Sequence, residues 1–296
     1  MVSSTHDQLY KFIFDDLEVR GEIVQLHDVY DNIFANKSYP KSIKKILAQL
    51  VLISNLITAS TKIEGETTVE IRGDGLLRYA SVNSDSKLNV RGIARHNITQ
   101  FDEEYSFRDI VGSNAILLIT VHPKDSEPYQ GVVEVTGYNL SDTLENYFLR
   151  SEQIKTKIML EISLTENDST AAGLLVQELP TEDPNHEDDF NTVAHLVNTL
   201  TKDELINLEA DEVLFRLFNQ FKVRRFDAIN VNFKCGCSRR KCLDTIHQLG
   251  KEEVYGVINS SADPEHVESL VMTCSQCGKK YIFKKEDIDK LFKNEK

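Results

Sequence analysis

Alternation and helical periodicity divide this chain into a strand-rich first part and a helical later part. Near the start, Tyr10-Lys11-Phe12-Ile13-Phe14 is aromatic, and Glu18-Val19-Arg20-Gly21-Glu22-Ile23-Val24 alternates as a half-buried strand does. After Tyr39-Pro40, the residues Ile43, Ile46, Leu47, Leu50, Val51 and Ile57 recur at helical spacing, and the later turns are apolar nearly all round. That pattern predicts a helix buried against a sheet. Val69 and Ile71 alternate up to Gly73-Asp74-Gly75, and alternation resumes from Leu76, so the glycines read as a hairpin turn. A phosphate cradle would need a strand-loop-helix context, which is absent there. Further strands are predicted over 115–121, 130–136, 157–162 and 172–177. Between them an amphipathic helix, with Ser141 as N-cap, carries Leu144, Tyr147 and Phe148 and ends near Arg150-Ser151-Glu152-Gln153. Strands with two helices among them predict an α+β domain over residues 1–180.

After Leu179-Pro180 the acidic stretch Thr181-Glu182-Asp183-Pro184-Asn185-His186-Glu187-Asp188-Asp189 marks a boundary. A helix then sets Phe190, Val193, Ala194, Val197 and Leu200 on one face, and Thr201-Lys202-Asp203-Glu204 is a capping-box opening for a second. A further turn or helix carries Val213, Leu214, Leu217, Phe218 and Phe221. These segments are too small for a core of their own, so they must dock on something, and they form a helical linker over 181–230 that is the low-stability part of the chain. Uncovering the stripes and the surface beneath would expose an apolar patch able to hold unfolded polypeptide.

The remainder, 231–296, has helices predicted near 243–249, 265–270 and around Ile288, Leu291 and Phe292, a loop at Ser260-Ser261-Ala262-Asp263-Pro264, and a strand at Lys280-Tyr281-Ile282-Phe283. So few apolar residues would hardly fold without a metal. Four of the five cysteines stand there in two tight pairs, Cys235-Gly236-Cys237 and Cys274-Ser275-Gln276-Cys277, with 36 residues between them. Each pair can span one edge of a tetrahedron, so the reading is a four-thiolate zinc site on Cys235, Cys237, Cys274 and Cys277. A disulfide across Cys-x-Cys closes a very small, strained ring that is easily reduced, which suits a switch better than a staple. Each pair closing on itself would release the metal that folds the module. Cys242, on Arg239-Arg240-Lys241-Cys242, reads as a small apolar helix residue whose basic neighbours could lower its pKa.

Composition narrows the partners. Net charge is −13 at 296 residues, which argues against a nucleic-acid or anionic-membrane binder. From Lys222 onward there are 15 Lys or Arg against 11 Asp or Glu, so the acidity belongs to the earlier part. The start lacks the basic and apolar runs of an export signal, and the apolar stretch 46–59 is broken by Gln49, Ser54 and Asn55 and is short for a membrane span. The expected compartment is the cytoplasm, where paired cysteines signify metal binding or redox sensing before structural disulfides.

Together, Gly73-Asp74-Gly75, Tyr129-Gln130-Gly131-Val132-Val133, Tyr147-Phe148-Leu149-Arg150-Ser151-Glu152-Gln153, Gly173-Leu174-Leu175-Val176-Gln177 with Leu179-Pro180, and Phe233 to Arg240 with Cys274 to Cys277 span nearly the whole chain. In these stretches the sequence resembles the 33 kDa heat-shock redox chaperone family, the bacterial 33 kDa chaperonin. The interval between its cysteine pairs is longer than that family's usual one. The resemblance implies an N-terminal substrate-holding domain, a helical linker and a C-terminal zinc redox switch, in which one Zn2+ sits on Cys235, Cys237, Cys274 and Cys277 in the reduced, inactive state. It implies that oxidants with mild unfolding give Cys235–Cys237 and Cys274–Cys277 disulfides, zinc release, linker unfolding and a homodimer. That form would hold unfolding client proteins without ATP and pass them to the seventy-kilodalton heat-shock system.

Two other classes fit less well. A zinc-ribbon nucleic-acid module would use the more basic tail, but overall acidity and the lack of an aromatic-basic stripe oppose it. An enzyme would need an open metal position or a nucleophile, and four thiolates close the shell. Tyr147, Arg150 and Glu152 read as a helix-end ion pair, not as an acid-base site, because no nucleophile or second carboxylate accompanies them.

Overall fold

The computed structural model describes residues 7–35, 37–61, 64–100, 104–165, 168–180, 187–260 and 269–293. The acidic boundary at 181–186, the loop at 261–264 and the start of the helix expected over 265–270 lie outside them. The chain forms two compact units, Met1–Lys234 and Cys235–Lys296.

In the first unit β1 (Gln8–Phe14) and β2 (Val19–Leu26) form a hairpin, followed by α1 (Asp28–Phe34) and α2 (Lys41–Ser60). Next come β3 (Gly65–Arg72), β4 (Leu77–Asp85), β5 (Asn89–His96), α3 (Phe107–Val111), β6 (Ile116–Pro123) and β7 (Tyr129–Glu134). Helix α4 (Leu140–Tyr147) runs into a π turn at Phe148–Glu152 and is followed by β8 (Thr156–Leu164) and β9 (Ser169–Glu178). Three short helices follow, α5 (Glu187–Val197), α6 (Lys202–Asn207) and α7 (Ala210–Phe218), then the short strands β10 (Val223–Arg225), β11 (Ile229–Asn230) and β12 (Asn232–Phe233).

Two sheets result, one ordered β10-β1-β2-β9-β8 with β11 also paired to β1, the other β12-β5-β4-β3-β6-β7. Helix α2 lies between them, because it is apolar on every side. Leu47, Leu50, Val51, Leu52 and Ile53 are almost wholly buried against Val24, Leu26 and Leu175 of one sheet and Val69, Ile71, Val82 and Val90 of the other. By length and composition α2 could cross a membrane, being longer than the apolar stretch read from the sequence, but 83% of that window is buried inside this protein. Of its polar interruptions Asn55 is paired, its Nδ2 donating to Val51 O and its Oδ1 accepting from Ser84 Oγ on β4 at 3.1 Å, whereas the buried Ser54 hydroxyl has no partner among the described residues.

Helices α5 to α7 cover the opposite face of the first sheet. Phe190, Val193, Val197, Leu205, Val213, Leu217 and Phe218 pack on Phe12, Phe14, Val19, Ile23, Leu174 and Val176. Thr201 caps α6 as its capping box required, with Thr201 and Glu204 each taking the other's backbone N–H. Gln25 Nε2 donates to Leu205 O at 3.1 Å and Leu208 O at 2.7 Å, which ties α6 to β2.

Several details differ from the sequence reading. The β3–β4 hairpin forms, but neither Gly73 nor Gly75 has a positive φ. A Cβ on Gly73 would sit 2.0 Å from Val111 O, and one on Gly75 2.5 Å from Gly112 N, so these glycines serve close approach to the end of α3. Asn139, not Ser141, caps α4: its Oδ1 takes the Asp142 N–H at 2.8 Å, and Ser141 lies within the first turn. Glu152 accepts from the hydroxyls of Tyr147, at 2.6 Å, and Tyr129, where the sequence suggested an ion pair with Arg150.

One buried charge stands out. Glu22 is 2% exposed and shares the α2-facing side of β2 with Val24 and Leu26, and its Oε2 has no hydrogen-bond partner. Burial pushes its carboxyl up to about 7, against the pull of Arg20 and Lys11. A carboxyl raised in the fold lends its full stability below the unfolded pKa of 4.5, and this is lost as pH climbs through about 7. The Glu22→Gln variant is therefore expected to exceed the parent's stability at pH 8 by roughly 1–3 kcal/mol and to come nearly level with it at pH 4.5, as read by urea unfolding at the two pH values.

Candidate metal centre

The second unit consists of α8 (Arg239–Leu249), α9 (Lys251–Ser260), the hairpin of β13 (Ser269–Thr273) and β14 (Lys280–Lys284), and α10 (Lys285–Lys293). Leu270 thus lies in a strand, not in the short helix expected there, because it pairs with Phe283 across the hairpin. Among the described residues the core is thin: Ile246, Val254, Ile258, Leu270, Tyr281, Phe283 and Ile288. A unit of this size with so few buried side chains needs a staple. The long interval between the cysteine pairs is occupied by α8, α9 and β13.

Two turns hold the cysteines. Cys274–Cys277 forms the tip of the β13–β14 hairpin, where Cys274 N donates to Lys279 O at 2.9 Å and Gly278 N donates to Cys274 O at 2.8 Å. Gly278 sits at φ +72°, a left-handed conformation that a side chain would strain. On the other side, Cys235-Gly236-Cys237 directly precedes α8, whose N-cap Ser238 accepts from Lys241 N at 3.2 Å. The positive end of that helix therefore begins beside Cys237.

All four sulfurs lie within 4.8 Å of one another, with Cys235–Cys274 and Cys237–Cys277 each at 3.6 Å. A tetrahedral ion with bonds of about 2.3 Å to sulfur would set its ligands about 3.8 Å apart, so the cluster has the dimensions and the soft donors to hold a metal ion. Sequence reasoning named all four residues and the structure brings them together. Cys242 is not among them. It packs on the small core, as an apolar helix residue does, and burial together with the Cys237 and Cys274 charges raises its thiol pKa against the pull of Arg239, the reverse of the lowering its basic neighbours suggested.

The electrostatics of the metal-free thiols are uneven. Burial pushes Cys235 up to about 12 and raises Cys277. Cys237, although burial opposes it, is drawn down to about 7 by hydrogen bonds from Tyr281 and the neighbouring thiols. The Tyr281 hydroxyl donates to Cys237 Sγ at 3.2 Å, and its own pKa is raised by that bond. The sequence reading passed over Tyr281 as a strand residue, and only its nearness to Cys277 in the chain hinted otherwise. Of the neighbouring cations, Arg239 is committed to structure: it donates to Ile282 O and Asp287 at 2.8 Å each and lies 4.2 Å from the centre of the Phe283 ring. Lys241 lies close to the loop, its Nζ 3.5 Å from where a Cβ on Gly236 would be.

With this geometry in view, similarity to known proteins becomes informative. The family model described as "Hsp33 protein" matches residues 7–284. The 33 kDa chaperonin of Vibrio vulnificus (strain YJ016) is 38% identical over 284 residues, covering 96% of this chain and 94% of that protein. That of Aeromonas salmonicida (strain A449) is 37% identical over 289 residues, covering 98% and 96%. In fold, the chain is similar to the crystal structure of the 33 kDa chaperonin from Thermotoga maritima, with a TM-score of 0.82 at 20% identity over 98% of this chain and 99% of that one.

Titrating the metal-free, reduced protein with Co2+ is expected to give the intense thiolate-to-metal absorption and the visible bands of a tetrahedral four-sulfur site, saturating at one ion per chain. Serine at Cys235, Cys237, Cys274 or Cys277 should weaken the thiolate band, whereas Cys242→Ser should leave it intact.

Proposed function

The chain belongs to the Hsp33 family, and from that premise we propose that it is a redox-regulated molecular chaperone, an ATP-independent holdase and not an enzyme. The observation that carries this reading is the apolar face of the first sheet, covered by α5 to α7. Each of these helices is too short to be stable alone, so the cover holds only while it is docked. Removing it would bare Phe12, Phe14, Val19, Ile23, Leu174 and Val176, an apolar sheet face suited to unfolded client proteins. In this reading residues 1–180 are the substrate-holding domain, 181–230 the linker and 231–296 the redox switch.

In the reduced state Cys235, Cys237, Cys274 and Cys277 would hold one Zn2+, since four soft thiolates in a closed shell match that ion. Bound there, the ion supplies the cross-link that the thin core of the second unit needs. Oxidation would form Cys235–Cys237 and Cys274–Cys277. Each bond takes two electrons from its pair of thiolates, and a peroxide that accepts them, with two protons drawn from the solvent, is reduced to two waters. Contacts of 3.6 Å run between the pairs, so bonding within each pair draws its sulfurs out of the shared cluster. That couples oxidation to loss of the ion and of the small unit's fold, and through chain continuity to release of the linker. Homodimerisation of the oxidised form, handover of clients to the seventy-kilodalton heat-shock system and a cytoplasmic location complete the proposal.

Exposure of the zinc-loaded protein to peroxide at elevated temperature is expected to release one zinc and consume four thiols per chain, in step with rising suppression of client light scattering. Zinc loss and disulfide formation with no gain in suppression would overturn the reading.

A further inference from the structure

The first sheet ends at β8, and the register of that edge fixes which backbone groups point away from its neighbour. Glu178 N donates to Lys155 O, and Thr165 N to Asp168 O, so odd-numbered residues bond toward β9 and even-numbered ones face outward. Two side chains occupy part of that outward row. Ile158 N donates to Glu145 Oε1 of α4 at 2.9 Å, and Ile162 O accepts from Lys202 Nζ of α6 at 2.7 Å. Between them the N–H and C=O of Leu160, the C=O of Ile158 and the N–H of Ile162 have no partner among the described residues.

These groups line a groove of about 400 Å³. One wall is formed by the start of α4, from Asn139 to Asp142, with Lys45 and Gln49 of α2, and the other by Val197, Leu200 and Lys202. A row of unpaired, alternating donors and acceptors at strand spacing is met in full only by another extended chain. The walls decide what kind. A recessed edge admits a lone strand but keeps two copies of β8 from meeting.

We propose that β8 is a strand-addition site at which an extended segment of unfolded polypeptide pairs with Ile158, Leu160 and Ile162, and that Lys202 gates it. The inference rests on the chaperone reading and names the mode of client capture. Lys202 opens α6 in the segment whose undocking is proposed above, so leaving it frees the Ile162 carbonyl and removes one wall of the groove. Recognition through the main chain is indifferent to client sequence and blind to folded proteins, whose strands are already paired.

The test uses the full chain, oxidised, and a fluorescent peptide of four Val-Thr repeats flanked by lysines, in three forms. These are unmodified, N-methylated at every second amide, and N-methylated at every Val and Thr amide. A strand has two edges, so the second form keeps one intact. The first two forms are expected to bind alike and the third on the order of tenfold more weakly or worse, since it can offer no N–H. In hydrogen exchange the Leu160 amide, open in the free protein, should become protected when the first peptide binds, and Lys202→Ala should raise peptide affinity in the reduced protein. Equal binding of all three forms, or a Leu160 amide that stays exchangeable in the peptide complex, overturns the proposal. Protection of Leu160 in the oxidised protein without peptide would assign the edge to a second copy and overturn it too. Client aggregation is followed in parallel: suppression with an unprotected Leu160 sinks the strand-addition site alone, whereas absent suppression sinks the chaperone reading and leaves the peptide arms to decide the edge.

Discussion

Four thiols held within 4.8 Å of one another are the constraint from which the rest of the molecule follows. Deprotonated, they repel and call for a cation at their centre; stripped of electrons, they call for covalent bonds. Neither solution leaves the other's geometry intact. The surrounding unit cannot ignore the choice, because its small core gives it little stability to spare.

The first unit divides its stability unequally. Helix α2 is enclosed by two sheets, so disturbing it would undo both of them. Helices α5 to α7 touch only one sheet face and are tied down by a few polar contacts, among them Gln25 to the α6 carbonyls and Lys202 to β8. Their release would cost the chain an outer layer and leave the α2 core in place. The proposed exposure of apolar surface would draw on this arrangement, a firm base under a loosely held cover.

Much of this was legible in the sequence because it is encoded locally. The Ile43-to-Ile57 spacing located α2, apolar runs and alternation located β2 to β4, β6 to β9 and β14, and Thr201-Lys202-Asp203-Glu204 described its own cap. The cysteine spacing named the cluster before any coordinates, since two turns at fixed intervals leave few other arrangements. Features set by distant partners stayed hidden. In β5 the inward Gly92 and Ala94 are small and Ile93 faces outward, which blurs its alternation, and in α1 a helix of seven residues leaves little periodicity. The roles of Gly73 and Gly75 depend on α3, and that of Tyr281 on Cys237. Ser141 and Asn139 are both good caps, and only the chain path chose between them.

After α7 the chain does not leave the first unit directly. It pairs with β1 twice, through β10 and β11, then crosses to the other sheet, where Asn232 and Phe233 lie parallel to Asn89 and Val90 just before Cys235. Ladders this short resist a steady pull poorly, and they would give way one after another like stitches from a seam. Tension arriving at residue 235 would loosen β12 first, then β11, then β10, and only afterwards reach α7. The order of stitching thus makes the tail a ripcord, with the helical cover at its far end.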